Sequence, residues 1–262
     1  MRRYLRLYAA FVRFAVQRSL QFRLDFFFRV GMDVIWNLHY LVFFGVLELK
    51  TPTIGGWDRD QIRIFLGSLF VVDGAQMTLF ANNHWAFPGL VNKGDLDYHL
   101  LRPISPLFMV SVRDFAVNSF LNFLIAVGIL VWAFARFPGP IPASSVLLYV
   151  TGLLLGLVIH HALHFLALLP VFWMQGGSGL RDVFFVVDSV NARPIGIFKG
   201  WVYRFFTVVL PLGVICNFPV RLLFEDGKAG TMLHIVAAAA LSFAAMVFTW
   251  RRGLRAYGSA SS

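Results

Sequence analysis

Apolar residues along this chain collect in long blocks, and short polar clusters separate the blocks. A transmembrane helix needs about 20 mainly apolar residues. Blocks of that length fall at roughly 30–49, 62–82, 108–134, 146–173, 195–216 and 231–250. The third and fourth are the cleanest: FLNFLIAVGILVWAF lies at the heart of one, and VLLYVTGLLLGLVIHHALHFLALLPVFW fills the other. The first, second and fifth carry charges. The pattern predicts an all-α, polytopic membrane protein with six transmembrane helices, a single domain over 1–262.

Residues 1–29 follow another rule. At the helical period, Arg2, Arg6, Arg13 and Gln17 share one face, and Tyr4, Tyr8, Phe11 and Ala15 the other. That is the signature of an amphipathic helix lying in the membrane interface, with arginines toward lipid phosphates. Arg2, Arg6, Arg13, Tyr8 and Phe11 are its candidate membrane contacts. Arginines at 13, 18, 23 and 29 interrupt the apolar run, so the segment does not read as a cleavable signal peptide. The fifth block contains Pro211, and Pro219 follows it. Non-helical backbone survives at membrane depth only where protein buries it or it lines a cavity. Residues 212–226 are therefore read as a re-entrant or interfacial element near the outer face; a kinked helix followed by a plain loop is the alternative.

Composition sharpens the class. Of 262 residues, 58% are hydrophobic and 14% charged, whereas soluble domains carry about 25% charged residues. The formal net charge of +10 sits in flanks of apolar blocks and forms no continuous stripe, which argues against nucleic acid. Basic flanks set orientation instead, since Lys and Arg stay on the cytoplasmic side. The N-terminal segment holds Arg2, Arg3, Arg6, Arg13, Arg18, Arg23 and Arg29; the C-terminus holds Arg251, Arg252 and Arg255. The loop after block four holds Arg181, Arg193, Lys199 and Arg204, while 135–145 has only Arg136. Both termini are expected in the cytoplasm, which needs an even number of crossings. RFPGPIPASS at 136–145 breaks helix outside, and MQGGSGLRD at 174–182 breaks it inside.

Candidate chemistry is sparse. There is no G-x-x-x-x-G-K-[ST] to cradle a nucleotide and no G-x-S-x-G nucleophile elbow, so no catalytic residue is assigned. The lone cysteine, Cys216, excludes an intrachain disulfide. His160 and His164 lie one turn apart, but the glutamate of an H-E-x-x-H site is missing, because position 161 is histidine. These histidines read as a polar helix face, and no metal or other cofactor is expected. Asp33 and Asp73 fall inside predicted spans, where a charge costs at least about 2.5–3.5 kcal/mol unless protein or water surrounds it. Both are candidates for a translocation path; an interhelical hydrogen bond is the other reading, favoured for Asp33 and equally weighted for Asp73. Arg113 and Asp114, beside Asn118, read as headgroup anchors.

The segment GDLDYHLLRPISPLF, residues 94–108, is a dense polar piece between two spans. Gly94, Leu96, Leu100, Leu101, Arg102 and Pro103 match a G-x-L-x-x-x-L-L-R-P pattern. Near the end, Trp250, Gly253, Leu254, Tyr257 and Ser259 match W-x-x-G-L-x-x-Y-x-S. In this order the two resemble a bacterial branch of ABC-2 type transporter permeases with a separate ATPase. The resemblance implies a permease subunit of the bacterial cytoplasmic (inner) membrane, paired with a second permease as a homo- or heterodimer. An ABC ATPase subunit would bind ATP-Mg and dock on the loop after the second span. Residues 84–107 are then the coupling region, with Gly94, Asp95, Asp97, Leu101, Arg102 and Pro103 as coupling residues. A helix over 94–103 is expected, ending at Arg102, because the residue before proline is pushed off α geometry. Membrane lipids are the remaining expected partners. The resemblance names no substrate; lipid, polysaccharide, peptide and drug all fit. From other classes, a membrane-embedded lipid-modifying enzyme using the histidines and a non-transporting scaffold are the alternatives.

Overall fold

A computed structural model describes residues 2–21, 23–174 and 189–258. Most of the expected break at 174–182, with Arg181, lies outside the described residues, as does Ser259. The described residues are helical, and their only β pairing is an isolated bridge between Ile54 and Trp57. Helix α1 covers Arg2–Gln21 and α2 covers Arg23–Glu48. Helix α3, Arg59–Gln76, passes through one π-helical turn, Met77–Ala81, into α4, Asn82–Asn92. Short helices α5 (Asp97–Leu100) and α6 (Pro106–Val112) lead to α7, Val117–Arg136. Helix α8, Ala143–Leu168, ends in a 3₁₀ turn, Leu169–Phe172. Then come α9 (Gly200–Arg204), α10 (Asn217–Phe224) and α11 (Lys228–Ala256).

Among the described residues five helices are long and apolar enough to cross a membrane: Phe26–Glu48, Arg59–Asn92, Val117–Arg136, Ala143–Phe172 and Lys228–Ala256. Their ends follow from local chemistry. Asp58 caps α3 by accepting from the backbone of Asp60 and Gln61, while the Gln61 side chain accepts from the Asp58 amide. Ser105 caps α6, with Pro106 at its first position.

The bundle is built on close backbone crossings. Gly67 and Gly74 on α3 face the backbones of Leu130 and Phe123 on α7; a Cβ at either glycine would lie 2.9 Å from the facing Cα. The matched order, 67 with 130 and 74 with 123, makes α3 and α7 antiparallel. Small residues let helices approach where lipid gives no hydrophobic drive to associate. Gly152 and Gly156 do the same on α8, receiving Pro219 and the Ile215 carbonyl.

Helices α8 and α11 run parallel. Near their starts, Lys228 Nζ donates to Ser145 Oγ at 2.6 Å. Toward their ends the rings of Phe165 and Trp250 lie 5.8 Å apart, and those of Phe172 and Tyr257 6.0 Å apart. Parallel neighbours need a long return connection, and the chain has regained the starting end by Gly196, which backs onto Gly55 in the α2–α3 loop. From there it dips inward to Ile215, beside Gly156 midway along α8, and climbs back along α10 past Gly152 to Phe224, whose ring meets Phe137 at 5.0 Å. One end of the bundle, here called the basic end, thus collects α1, α5, α6 and the last turns of α4, α8 and α11. Both ends of the described chain lie there: Tyr4 meets Phe108, and Tyr257 meets Phe172.

Several expectations change. The second block is longer than 62–82: helix continues to Asn92 across the π turn, so the first part of the 84–107 region is buried helix bearing His84 and Phe87. The third block splits, because the helix breaks between α6 and α7 at residues 113–116. The fifth block, 195–216, is not one span. It forms a 3₁₀ turn at Ile195–Ile197, α9, a π turn at Phe205–Val209 and a 3₁₀ turn at Pro211–Val214. Gly200 takes a positive φ of 59°, and Leu210, before Pro211, leaves α geometry at φ −121° and ψ 86°. Arg193 and Lys199 flank the turn that meets Gly55, so they sit at the far end and do not add to the basic end. Within 1–29, residues 2–21 and 23–29 form two helices, α1 and the start of α2. Most of the Tyr4–Tyr8–Phe11–Ala15 face of α1 packs on protein, with Tyr8 edge-on to Phe115 and Ala15 buried, while Tyr4, Leu5 and Phe14 are exposed.

Candidate functional site: the elbow between α4 and α6

Helix α4 ends at Asn92, and Gly94 turns the chain with φ 77°, a left-handed conformation that favours glycine. The turn drives Leu96 into the core, where it is fully buried, and its amide donates to the Leu90 carbonyl at 3.1 Å. Leu96 thus pins the elbow to α4. One helical turn follows, Asp97–Leu100, closed by the Leu101 amide on the Asp97 carbonyl at 3.0 Å. The expected helix over 94–103 is only this turn. Arg102 already lies outside it, as the following Pro103 requires. Below the turn, the Ser105 amide donates to Tyr4 Oη at 3.3 Å, tying α1 to the elbow.

The elbow presents different chemistry on its two sides. Outward, Tyr98 and Leu101 are 68% and 83% exposed. Inward, His99 is buried against the bundle, and Arg113 Nη1 lies 3.5 Å from its Nε2. Burial first, then the positive charges of Arg113 and Arg102, lower the His99 pKa from its ordinary value. Arg102 is exposed and also lines a cleft on this inner side. Asp97 faces the last turn of the chain. The Tyr257 phenol is raised above its usual pKa by burial and then by the charges of Asp97 and Asp95.

The two sequence motifs, some 150 residues apart, therefore meet. Trp250 stacks among Phe87, Phe165 and Phe172 at centroid distances of 5.9, 5.8 and 5.6 Å. Gly253 lies so close to the Phe172 ring that no side chain fits there. Tyr257 then reaches the elbow itself. Residues 34–261 match the family described as ABC-2 family transporter protein. The chain belongs to the ABC-2 transporter family. No curated protein and no solved structure matches it. This ABC-2 protein is a transmembrane permease of the ABC transporter class, a multi-pass membrane protein.

Other candidate residues of the permease lie apart from the elbow. Asp33 is half-buried on α2, and Arg29, one turn earlier, acts on its carboxylate. Asp73 is half-buried on α3, near enough to Cys216 in the dipping segment to act on its thiol. The two acids thus meet different elements. Arg2, Arg6 and Arg13 are exposed on α1. The α8 histidines are buried and joined by one that the block pattern did not include: His84 Nε2 lies 3.0 Å from His161 Nδ1, with the His160 and His164 rings 4.4 Å apart. Among the described residues no group of three or more His, Cys, Asp or Glu is arranged to hold a metal ion. His99 and Arg113 stand 14 residues apart in sequence and meet only through the fold, so the sequence pattern carries no sign of their contact.

Proposed function

We propose that this permease is the transmembrane subunit of an ATP-driven exporter, powered by a separate ABC ATPase that binds ATP-Mg and docks on the elbow. The observation that carries this reading is the elbow's build: two exposed hydrophobic side chains, Tyr98 and Leu101, stand on one turn held by Gly94, Leu96 and Pro103. An apolar contact on a rigid, core-anchored base transmits movement into α4 and α6 with little loss. Asp95 and Asp97 supply the polar rim of the contact.

The basic end is the cytoplasmic end. It carries the arginines of α1 together with Arg251, Arg252 and Arg255, as the distribution of positive charge around membrane spans requires. The protein then crosses the bacterial inner membrane six times. The parallel course of α8 and α11 supports this count, because the chain regains the outer end before α11 begins. The segment from α9 to α10 is re-entrant from the outer side, and the exposed face of α1 lies in the inner interface, with Leu5 and Phe14 toward lipid. A second permease subunit covers α2. His39, in the middle of the Phe26–Glu48 span, is exposed among Trp36, Tyr40 and Phe43. A polar ring at mid-bilayer calls for protein or water beside it. Asp73, beside the re-entrant segment, and Asp33 are the acids assigned to the path.

Co-expression with the partner ATPase tests the reading: the ATPase should co-purify with the wild-type permease and be lost when the elbow's exposed face is altered. Equal recovery with an altered elbow would overturn it.

A further inference from the structure

A cleft of about 470 Å³ opens at the basic end between α1, α4 and α6, on the inner side of the elbow. Three guanidinium groups line it, from Arg18, Arg102 and Arg113, against one carboxylate, Asp114. Arg18 is already paired, its Nη2 lying 2.7 Å from Asp114 Oδ1. Among the described residues neither Arg102 nor Arg113 has an acidic partner within ion-pair distance. The wall is rigid. Asn83 latches the Asp114 backbone both ways, accepting from its amide at 2.8 Å and donating to its carbonyl at 3.0 Å. Asn82 and His99 add polar groups to the lining, and the rest is apolar, with Phe11, Phe14 and Leu90 prominent. Phe14 is also exposed on the outer face of α1, so the apolar floor runs out toward the surface of the bundle.

We propose that this cleft binds the phosphate of an anionic phospholipid, with Arg102 and Arg113 on the phosphate and Phe11, Phe14 and Leu90 under the glycerol and first acyl carbons. Guanidinium forks match phosphate oxygens in pairs, and two arginines without a carboxylate partner facing one cleft call for one anion. A zwitterionic lipid satisfies the site less well, because its own cation competes for the phosphate. Depth agrees: the cleft lies where the Arg59–Asn92 span ends and beside the start of α7, at the level of headgroups. A lipid there touches α1 on one side and Arg102 on the other. It would tie the position of the elbow to the bilayer and make coupling sensitive to lipid charge. Neither the binding nor its test requires the ATPase, so the inference stands or falls apart from the elbow's role in docking.

The test uses the purified permease alone, with native mass spectrometry of retained lipid. Three ligands are compared: dioleoylphosphatidylglycerol, dioleoylphosphatidylcholine and inorganic phosphate. Wild type should prefer phosphatidylglycerol over phosphatidylcholine by about tenfold or more, about 1.4 kcal/mol per decade. R102Q/R113Q should lose that preference, and R102K/R113K should keep part of it. Phe14→Asp should weaken lipid retention and leave the arginines intact, which separates a lipid from a free anion. Displacement of phosphatidylglycerol by millimolar inorganic phosphate, with F14D unaffected, would overturn the lipid assignment and leave a free-phosphate site. An unchanged preference in folded R102Q/R113Q, judged by circular dichroism, would overturn the proposal.

Discussion

Replacing Leu101 by alanine separates a docking residue from a packing residue. Leu101 is 83% exposed, so its removal takes almost nothing from the bundle. If an ATPase groove covers it, the interface loses most of a leucine's burial, about 1.5–3 kcal/mol. At about 1.4 kcal/mol per decade this is about a tenfold to hundredfold weaker complex. Leu96, five residues earlier in the sequence and fully buried, should behave in the opposite way. Leu96→Ala removes the pin of the elbow, at about 2–5 kcal/mol of stability for a buried leucine. The assay is titration of purified ATPase onto detergent-solubilised permease, with thermal unfolding of each variant measured beside it. Leu101→Ala should bind at least about tenfold more weakly at an unchanged melting temperature; Leu101→Met should bind nearly as wild type, because volume and apolarity are kept. Leu101→Ala binding within about twofold of wild type, on a permease that binds the ATPase well, would refute the claim that this face is the docking contact.

Gly74→Val should destabilise the fold by about 1–3 kcal/mol, because the new Cβ would lie 2.9 Å from the Phe123 Cα and backbone must move. Gly128, with nothing within 4 Å, is the control, and Gly128→Ala should leave thermal stability unchanged or slightly raised. The lowered pKa of His99 gives a pH dependence. The folded state keeps this imidazole neutral, while the unfolded chain protonates it near its ordinary value of 6.5. As pH falls below that value the unfolded state binds more protons, so stability should decline until the folded pKa is reached. His99→Asn should flatten this decline in melting temperature between neutral and mildly acidic pH.

Much of the elbow is legible in the sequence because its signals are local. Gly94 marks the turn that takes a positive φ, and Pro103 ends the helical turn before it. The pairing of the two motifs is legible only as order along the chain; that Trp250 and Tyr257 reach Phe87 and the elbow is a matter of long-range packing. The end of the second span was misplaced for a definite reason. Asn82, Asn83 and His84 interrupt the apolar run and Pro88 follows, so the helix that continues through a π turn to Asn92 reads as a loop. The block at 195–216 is apolar throughout but folds in short pieces, since hydrophobicity does not distinguish a spanning helix from buried irregular backbone. The parallel pair α8 and α11 is what locates the return of the chain, and that pairing leaves no local mark. Arg102 shows the same limit at the site: its position before Pro103 is local, while its sharing of a cleft with Arg113 depends on the fold.

The most direct test of a cytoplasmic, ATPase-coupled elbow is thiol labelling at Leu101→Cys. The native Cys216 is fully buried, which leaves the introduced thiol as the reactive one. A membrane-impermeant maleimide is applied to intact cells and to inside-out vesicles, with and without the partner ATPase. Labelling should occur only in inside-out vesicles and should fall when the ATPase is bound. Labelling from outside intact cells, or labelling in vesicles that the ATPase does not slow, would contradict the account.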